Sequence, residues 1–150
     1  RIIERHGLET RNVELEISER GVLSGNADVI GQLQELAKLG VRLSVDDFGT
    51  GDSAIAYLKD LPVDVLKIDR SYISGLDRNH KDEAIASAMV ALGQRLKLEV
   101  IAEGVETEEE ARVCRGMGFA YGQGFLFSHP KSIDQLARDA DAGPSDPTLE

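Results

Sequence analysis

Apolar and polar positions change period repeatedly along this chain. From Val13 to Ser18, in VELEIS, they alternate: Val13, Leu15 and Ile17 lie on one face, Glu14, Glu16 and Ser18 on the other. A period of two predicts a strand. DVIGQLQELAKLG then sets Val29, Leu33, Leu36 and Ala37 at helical spacing, with Gly40 as the stop. VRLSVDDF (41–48) reads as strand, SAIAYLKDL (53–61) as a short helix ending before Pro62, and VDVLKID (63–69) as strand. EAIASAMVALGQRL (83–96) is a helix with Ile85, Met89, Leu92 and Leu96 on one stripe. KLEVIAEG (97–104) is strand again. In TEEEARVCRGMG, Thr107 and Glu110 form a capping box, and Gly116 and Gly118 mark the end of the helix. YGQGFLF (121–127) predicts the last strand and SIDQLARDA (132–140) a closing helix. The expected domain covers residues 1–138, followed by a small, polar, proline-containing flexible tail over 139–150.

Five strands, each followed by a helix, imply an α/β protein with parallel strands, in either a doubly wound sheet or a (β/α)8 barrel. Neither G-x-G-x-x-G nor G-x-x-x-x-G-K-[ST] occurs, so the dinucleotide and P-loop readings lose their main support. The unusual polar residues fall at the C-terminal ends of the strands, where barrel enzymes carry their chemistry. Five units cannot close an eight-stranded barrel, so a partial barrel is expected.

Composition narrows the partners. The 150 residues suffice for one domain with a core. No apolar run approaches the roughly 20 residues of a membrane span, and no signal-peptide pattern opens the sequence. Cys114 stands alone, which excludes a disulfide-built fold and suits a cytoplasmic setting. A net charge of −10 argues against binding a DNA or RNA polymer, because that rests on Lys and Arg contacts to phosphate. A small anionic ligand is still compatible where a divalent cation supplies the positive charge.

The candidate chemistry lies in charged residues at strand ends: Glu16, the pair Asp46-Asp47, Lys67 with Asp69, and Glu103 with Glu106. In a parallel barrel these ends converge on one mouth. Clustered carboxylates are costly unless protonated or bound to cations, and an oxygen-only set favours Mg²⁺ or Mn²⁺ over zinc. Asp after a strand often caps the next turn, which accounts for one of the adjacent pair but hardly both. Glu16 reads equally as a solvated edge, Glu14 as structural or surface, and Lys67–Asp69 as a buried ion pair. Glu108 to Glu110 complement the helix dipole and are assigned no chemistry. Gln123, between Gly122 and Gly124, marks a place where something approaches the backbone closely.

Taken together, LEISE (15–19), DDFGTG (46–51), LPVDVLKID (61–69), IAEGVET (101–107) and QGFLFSHP (123–130) resemble the EAL domain, the cyclic di-GMP phosphodiesterase, over about residues 1–138. The resemblance implies a (β/α)8, TIM-barrel-like fold of which this chain supplies strands four to eight. It implies a two-metal site with Mg²⁺ or Mn²⁺: Glu16 and Asp46 would ligate one ion, Asp46 would bridge to the second, and Asp47 would lie alongside. Glu103 would serve as general base or water ligand, assisted by Lys67. Asp69, Glu106 and Gln123 would support site and substrate, and Glu19 would hold the DFGTG loop. Asp52 and His129 depart from the family pattern, at positions where an aromatic residue and a basic one are frequent. The Glu-Ala-Leu signature and a metal-binding Asn would lie upstream of Arg1.

The implied function is metal-dependent hydrolysis of cyclic di-GMP to linear pGpG by the parent bacterial protein, within second-messenger signalling. The alternative is a degenerate EAL module that binds cyclic di-GMP or a partner protein without turnover. A more distant rival, an enolase-like barrel, explains the carboxylates but not the five motifs. For the isolated chain the expectation is little or no hydrolysis and self-association or homodimerisation, since open sheet edges invite pairing. Regulatory domains, and in some relatives a membrane anchor, are expected in the parent protein.

Overall fold

The strands form where the sequence alternates and the helices where it does not. In the computed structural model, which describes residues 2–23, 27–51 and 55–142, they are β1 (Glu14–Ser18), β2 (Arg42–Phe48), β3 (Val65–Ile68), β4 (Glu99–Glu103) and β5 (Tyr121–Gln123). They make one sheet in the order β1-β2-β3-β4-β5, every neighbouring pair parallel. The order never reverses, so there is no switch point of the doubly wound kind. Successive strands pair in sequence order and the helices pack against one face, as in a barrel wall. The barrel-like reading of the sequence therefore holds, over a partial barrel.

The helices are α1 (Ile2–Arg5), α2 (Glu19–Leu23), α3 (Ala27–Lys38), α4 (Ile55–Leu58), α5 (Arg70–Ile73), α6 (His80–Arg95), α7 (Glu108–Met117) and α8 (Ile133–Ala142), with a 3-10 turn at Thr10–Asn12. The core lies between them and one face of the sheet. Leu43 and Val45 of β2, Leu66 and Ile68 of β3, and Val100 and Ala102 of β4 pack there with Leu33, Leu58, Ile73, Ala86, Val90 and Cys114. Pleating sends the intervening residues the other way. Those are Arg42, Ser44 and Asp46 of β2, Val65 and Lys67 of β3, and Glu99, Ile101 and Glu103 of β4. One face of the sheet is thus a hydrocarbon core, and the other carries most of the charged strand residues, with Ser44, Val65 and Lys67 buried among them.

Three expectations need correction. The last strand stops at Gln123, because Gly124 packs against the Val105 backbone so tightly that a Cβ there would collide with the Val105 carbonyl. A turn follows, with the Phe127 and Ser128 N–H groups donating to the Gly124 carbonyl at 3.1 and 3.2 Å. On α6 the fully buried line is Ala86, Val90 and Gly93, while Ile85 is 42% exposed and Leu96 36%. The helix is rotated because Gly93 allows the closest approach to Val100 of β4, where any side chain would clash. Gly116 lies within α7, and only Gly118 ends it, at φ 88°. The predicted start of α4, the departure at Asp52 and the tail beyond 142 lie outside the described residues.

Candidate active site

Adjacent residues of a regular strand point to opposite faces, so Asp46 and Asp47 should part company. They do not, because β2 loses its regular register with β3 between Val45 and Phe48, and Asp47 takes a left-handed φ of 55°. A bulge of this kind re-aims a side chain. Asp46, Asp47 and Glu103 consequently each offer a carboxylate oxygen within 4.8 Å of the others. Among the described residues the Asp47 carboxylate has no hydrogen-bond or ion-pair partner.

Lys67 rises from the middle of β3 into this cluster. It is 3% exposed, and its Nζ lies 2.8 Å from carboxylate oxygens of Glu16, Asp46 and Glu103 alike. Burial pulls its pKa down, but the hydrogen bonds it donates to these carboxylates outweigh that and hold it above the usual lysine range. The ammonium therefore stays charged. Burial pushes the Glu103 carboxyl up, as do Asp46 and Asp47; Lys67 opposes this without cancelling it. Lys67 makes no ion pair with Asp69. Asp69 instead caps α5, its carboxylate accepting the Ser71 N–H at 2.9 Å.

The remaining candidates surround this centre. Glu19, at the start of α2 and 2% exposed, accepts the Gly49 and Gly51 N–H groups at 2.9 Å each. Glu106 pairs with Arg70 Nη2 at 2.8 Å, and Gln123 ends β5 opposite Glu103 in the register. Glu14 belongs to a separate ladder near the N-terminal ends of the strands, where Arg42 bridges it to Glu99. His129 stacks on Phe125 with centroids 4.4 Å apart.

Beyond Glu19, sequence reasoning missed residues that fix the loops. Glu110 completes the expected capping box, and it also accepts the Gly75 and Glu106 N–H groups at 2.8 and 2.9 Å. Burial would raise its pKa, yet these backbone donors hold it below the usual carboxylate range. Arg70 and Tyr72 carried no signal, because α5 is too short to show a period.

A divalent cation suits this donor set. The oxygens are all carboxylate, at least one is unpaired, and burial penalises the negative charge of Glu103. Asp46, Asp47 and Glu103 are the residues that would hold such an ion, with Glu16 beside them on Lys67.

Known proteins are similar to this chain in sequence and in fold. Cyclic di-GMP phosphodiesterase NbdA of Pseudomonas aeruginosa is 44% identical over 134 residues, covering 89% of this chain and 17% of the relative. The chain thus spans less than a fifth of that protein's length. The phosphodiesterase part of Pseudomonas aeruginosa MucR, solved with cyclic di-GMP, superposes with a TM-score of 0.83 at 44% identity, over 89% of this chain and 54% of that one. Klebsiella pneumoniae BlrP1, solved with manganese and cyclic di-GMP, gives 0.81 at 32% identity over 85% and 33%. Residues 1–130 match the EAL domain profile, and the chain belongs to the EAL domain family.

Proposed function

We propose that residues 1–138 are the C-terminal part of a metal-dependent phosphodiesterase domain that hydrolyses cyclic di-GMP to linear pGpG; the closing helix α8 runs on past that boundary to Ala142. The observation that supports this most is the convergence of Asp46, Asp47 and Glu103 beside buried Lys67 at the C-terminal ends of three parallel strands. Asp46 and Asp47, with Glu103 and the neighbouring Glu16, would hold Mg²⁺ or Mn²⁺, two ions in the complete domain. Bound there, the metal lowers the pKa of water and offsets charge on the phosphate oxygens.

The chain's own groups do the rest. Glu103 accepts a proton from the attacking water as the water oxygen bonds to phosphorus and the P–O bond to the ribose oxygen breaks, that oxygen leaving as an alkoxide that takes up a proton from solvent. Burial raises the pKa of Glu103, which makes it a stronger base than a free glutamate. Lys67 stays cationic throughout, restraining Glu103 and Asp46 and countering charge that develops on the phosphoryl oxygens. Asp69 and Glu106 shape the mouth through α5, Gln123 lines it opposite Glu103, and Glu19 holds the 49–51 loop. The parent protein acts in the cytoplasm under regulatory domains and works as a homodimer.

The test is the product formed from cyclic di-GMP with Mn²⁺ or Mg²⁺, assayed on this chain and on one extended upstream of Arg1. Product from the extended chain alone supports the proposal and the need for further strands. No product from either, with cyclic di-GMP still bound, favours a binding module without turnover.

A further inference from the structure

Asp47 can join the cluster only while its backbone stays left-handed, a conformation its Cβ opposes. Something must hold the segment that follows. The Asp47 carbonyl accepts both the Thr50 N–H at 3.3 Å and the Thr50 hydroxyl at 2.9 Å, closing the turn. The next residues are gripped from two sides. Glu19 takes the Gly49 N–H, and on the opposite edge of that residue the Tyr72 hydroxyl donates to the Gly49 carbonyl at 2.8 Å. The Tyr72 ring presses on Gly49 as well: a Cβ added there would lie 2.6 Å from Tyr72 Cε2 and 2.8 Å from Met89 Cε. Tyr72 stands on α5, whose first residue follows the Asp69 cap and whose Arg70 pairs with Glu106. Its hydroxyl therefore joins the loop after β2 to the element that flanks the loop after β4.

We propose that Tyr72 is a positioning residue for the cation site: its hydroxyl, acting on the Gly49 carbonyl, fixes the left-handed turn that brings the Asp47 carboxylate to Asp46 and Glu103. This rests on the reading of those carboxylates as ligands of a divalent cation. Tyr72 touches neither the carboxylates nor any ligand. What it sets is how much of the time Asp47 is in place, and hence the affinity of the site for the ion.

Tyr72→Phe removes one oxygen and leaves the ring that packs on Gly49. Tyr57→Phe on α4, where the tyrosine is exposed, is the control. Two quantities are read on the chain extended upstream of Arg1: Mn²⁺ affinity, from the electron-paramagnetic signal of the free ion, and hydrogen exchange of a peptide spanning 48–51. Tyr72→Phe is expected to weaken Mn²⁺ binding three- to tenfold and to speed exchange in that peptide, with α7 peptides unchanged. Tyr57→Phe changes neither. A Tyr72→Phe chain that melts lower but binds Mn²⁺ as wild type does assigns Tyr72 a merely structural role and overturns the proposal. Unchanged exchange at 48–51 overturns it too. A wild-type chain that takes up no Mn²⁺ overturns the cation reading and this proposal with it, an outcome distinct from equal binding by wild type and variant.

Discussion

At the scale of single residues, the site is a contest between charge and solvent. Lys67 is surrounded by Glu16, Asp46 and Glu103, and removing it leaves carboxylates without their counter-charge. Lys67→Met is expected to destabilise the chain by about 2–3 kcal/mol, below the range for a fully buried pair because Glu16 is half exposed. Urea denaturation measures this, and Mn²⁺ should stabilise the variant more than wild type. Glu103 sets the pH dependence. Its raised folded pKa means the protonated form suits the folded chain better, so the stability linked to it is present below the ordinary glutamate range and lost as pH rises through the raised value. Glu103→Gln should therefore raise the melting temperature at neutral pH and remove that pH dependence in thermal melts. The acidic residues themselves were legible in the sequence, because adjacent carboxylates on an apolar run have few structural uses. Their partners were not. Lys67 and Asp69 share a motif, yet Lys67 reaches across the sheet to three other elements while Asp69 turns to cap α5.

At the scale of elements, periodicity located every strand but misjudged part of one face. The stripe of large residues on α6 suggested Ile85 and Leu96 as core, yet small Ala86 and Gly93 lie against the sheet because close packing there leaves no room for bulk. Val90→Ala, deleting buried methyl groups, should cost about 1–3 kcal/mol, and Ile85→Ala less than about 1 kcal/mol. Equal losses in chemical denaturation would contradict this placement. The bulge in β2 was invisible for a different reason: alternation tells which residues belong to a strand but not where its register slips. The left-handed Asp47 is the consequence, and such strain, of the order of 1–3 kcal/mol, persists only where surrounding bonds enforce it. The capping box at Thr107 and Glu110 was fully legible, since it is written in four consecutive residues; the link from Glu110 to Gly75 was not, because it spans 35 positions.

At the scale of the whole molecule, five parallel strands in sequential order bury one face beneath helices and leave the other charged, with β1 and β5 at the edges. Apolar side chains also stand open on the closing helix, where Ile133 is 82% and Leu136 53% exposed. Such edges and patches favour association. Sedimentation velocity at micromolar concentration should show this chain as dimers or larger species, and a stable monomer would contradict that expectation. Fold class was legible because strand and helix alternate so regularly, and the choice between barrel and doubly wound sheet needed the observed strand order. The central claim is that the carboxylates gathered around Lys67 carry out metal-dependent hydrolysis of cyclic di-GMP. The most direct measurement is pGpG production with Mn²⁺ by a chain extended upstream of Arg1, compared with its Glu103→Gln variant. The account predicts product from the former and at least a roughly hundredfold loss in the latter, with cyclic di-GMP binding retained. Undiminished turnover by Glu103→Gln would contradict it.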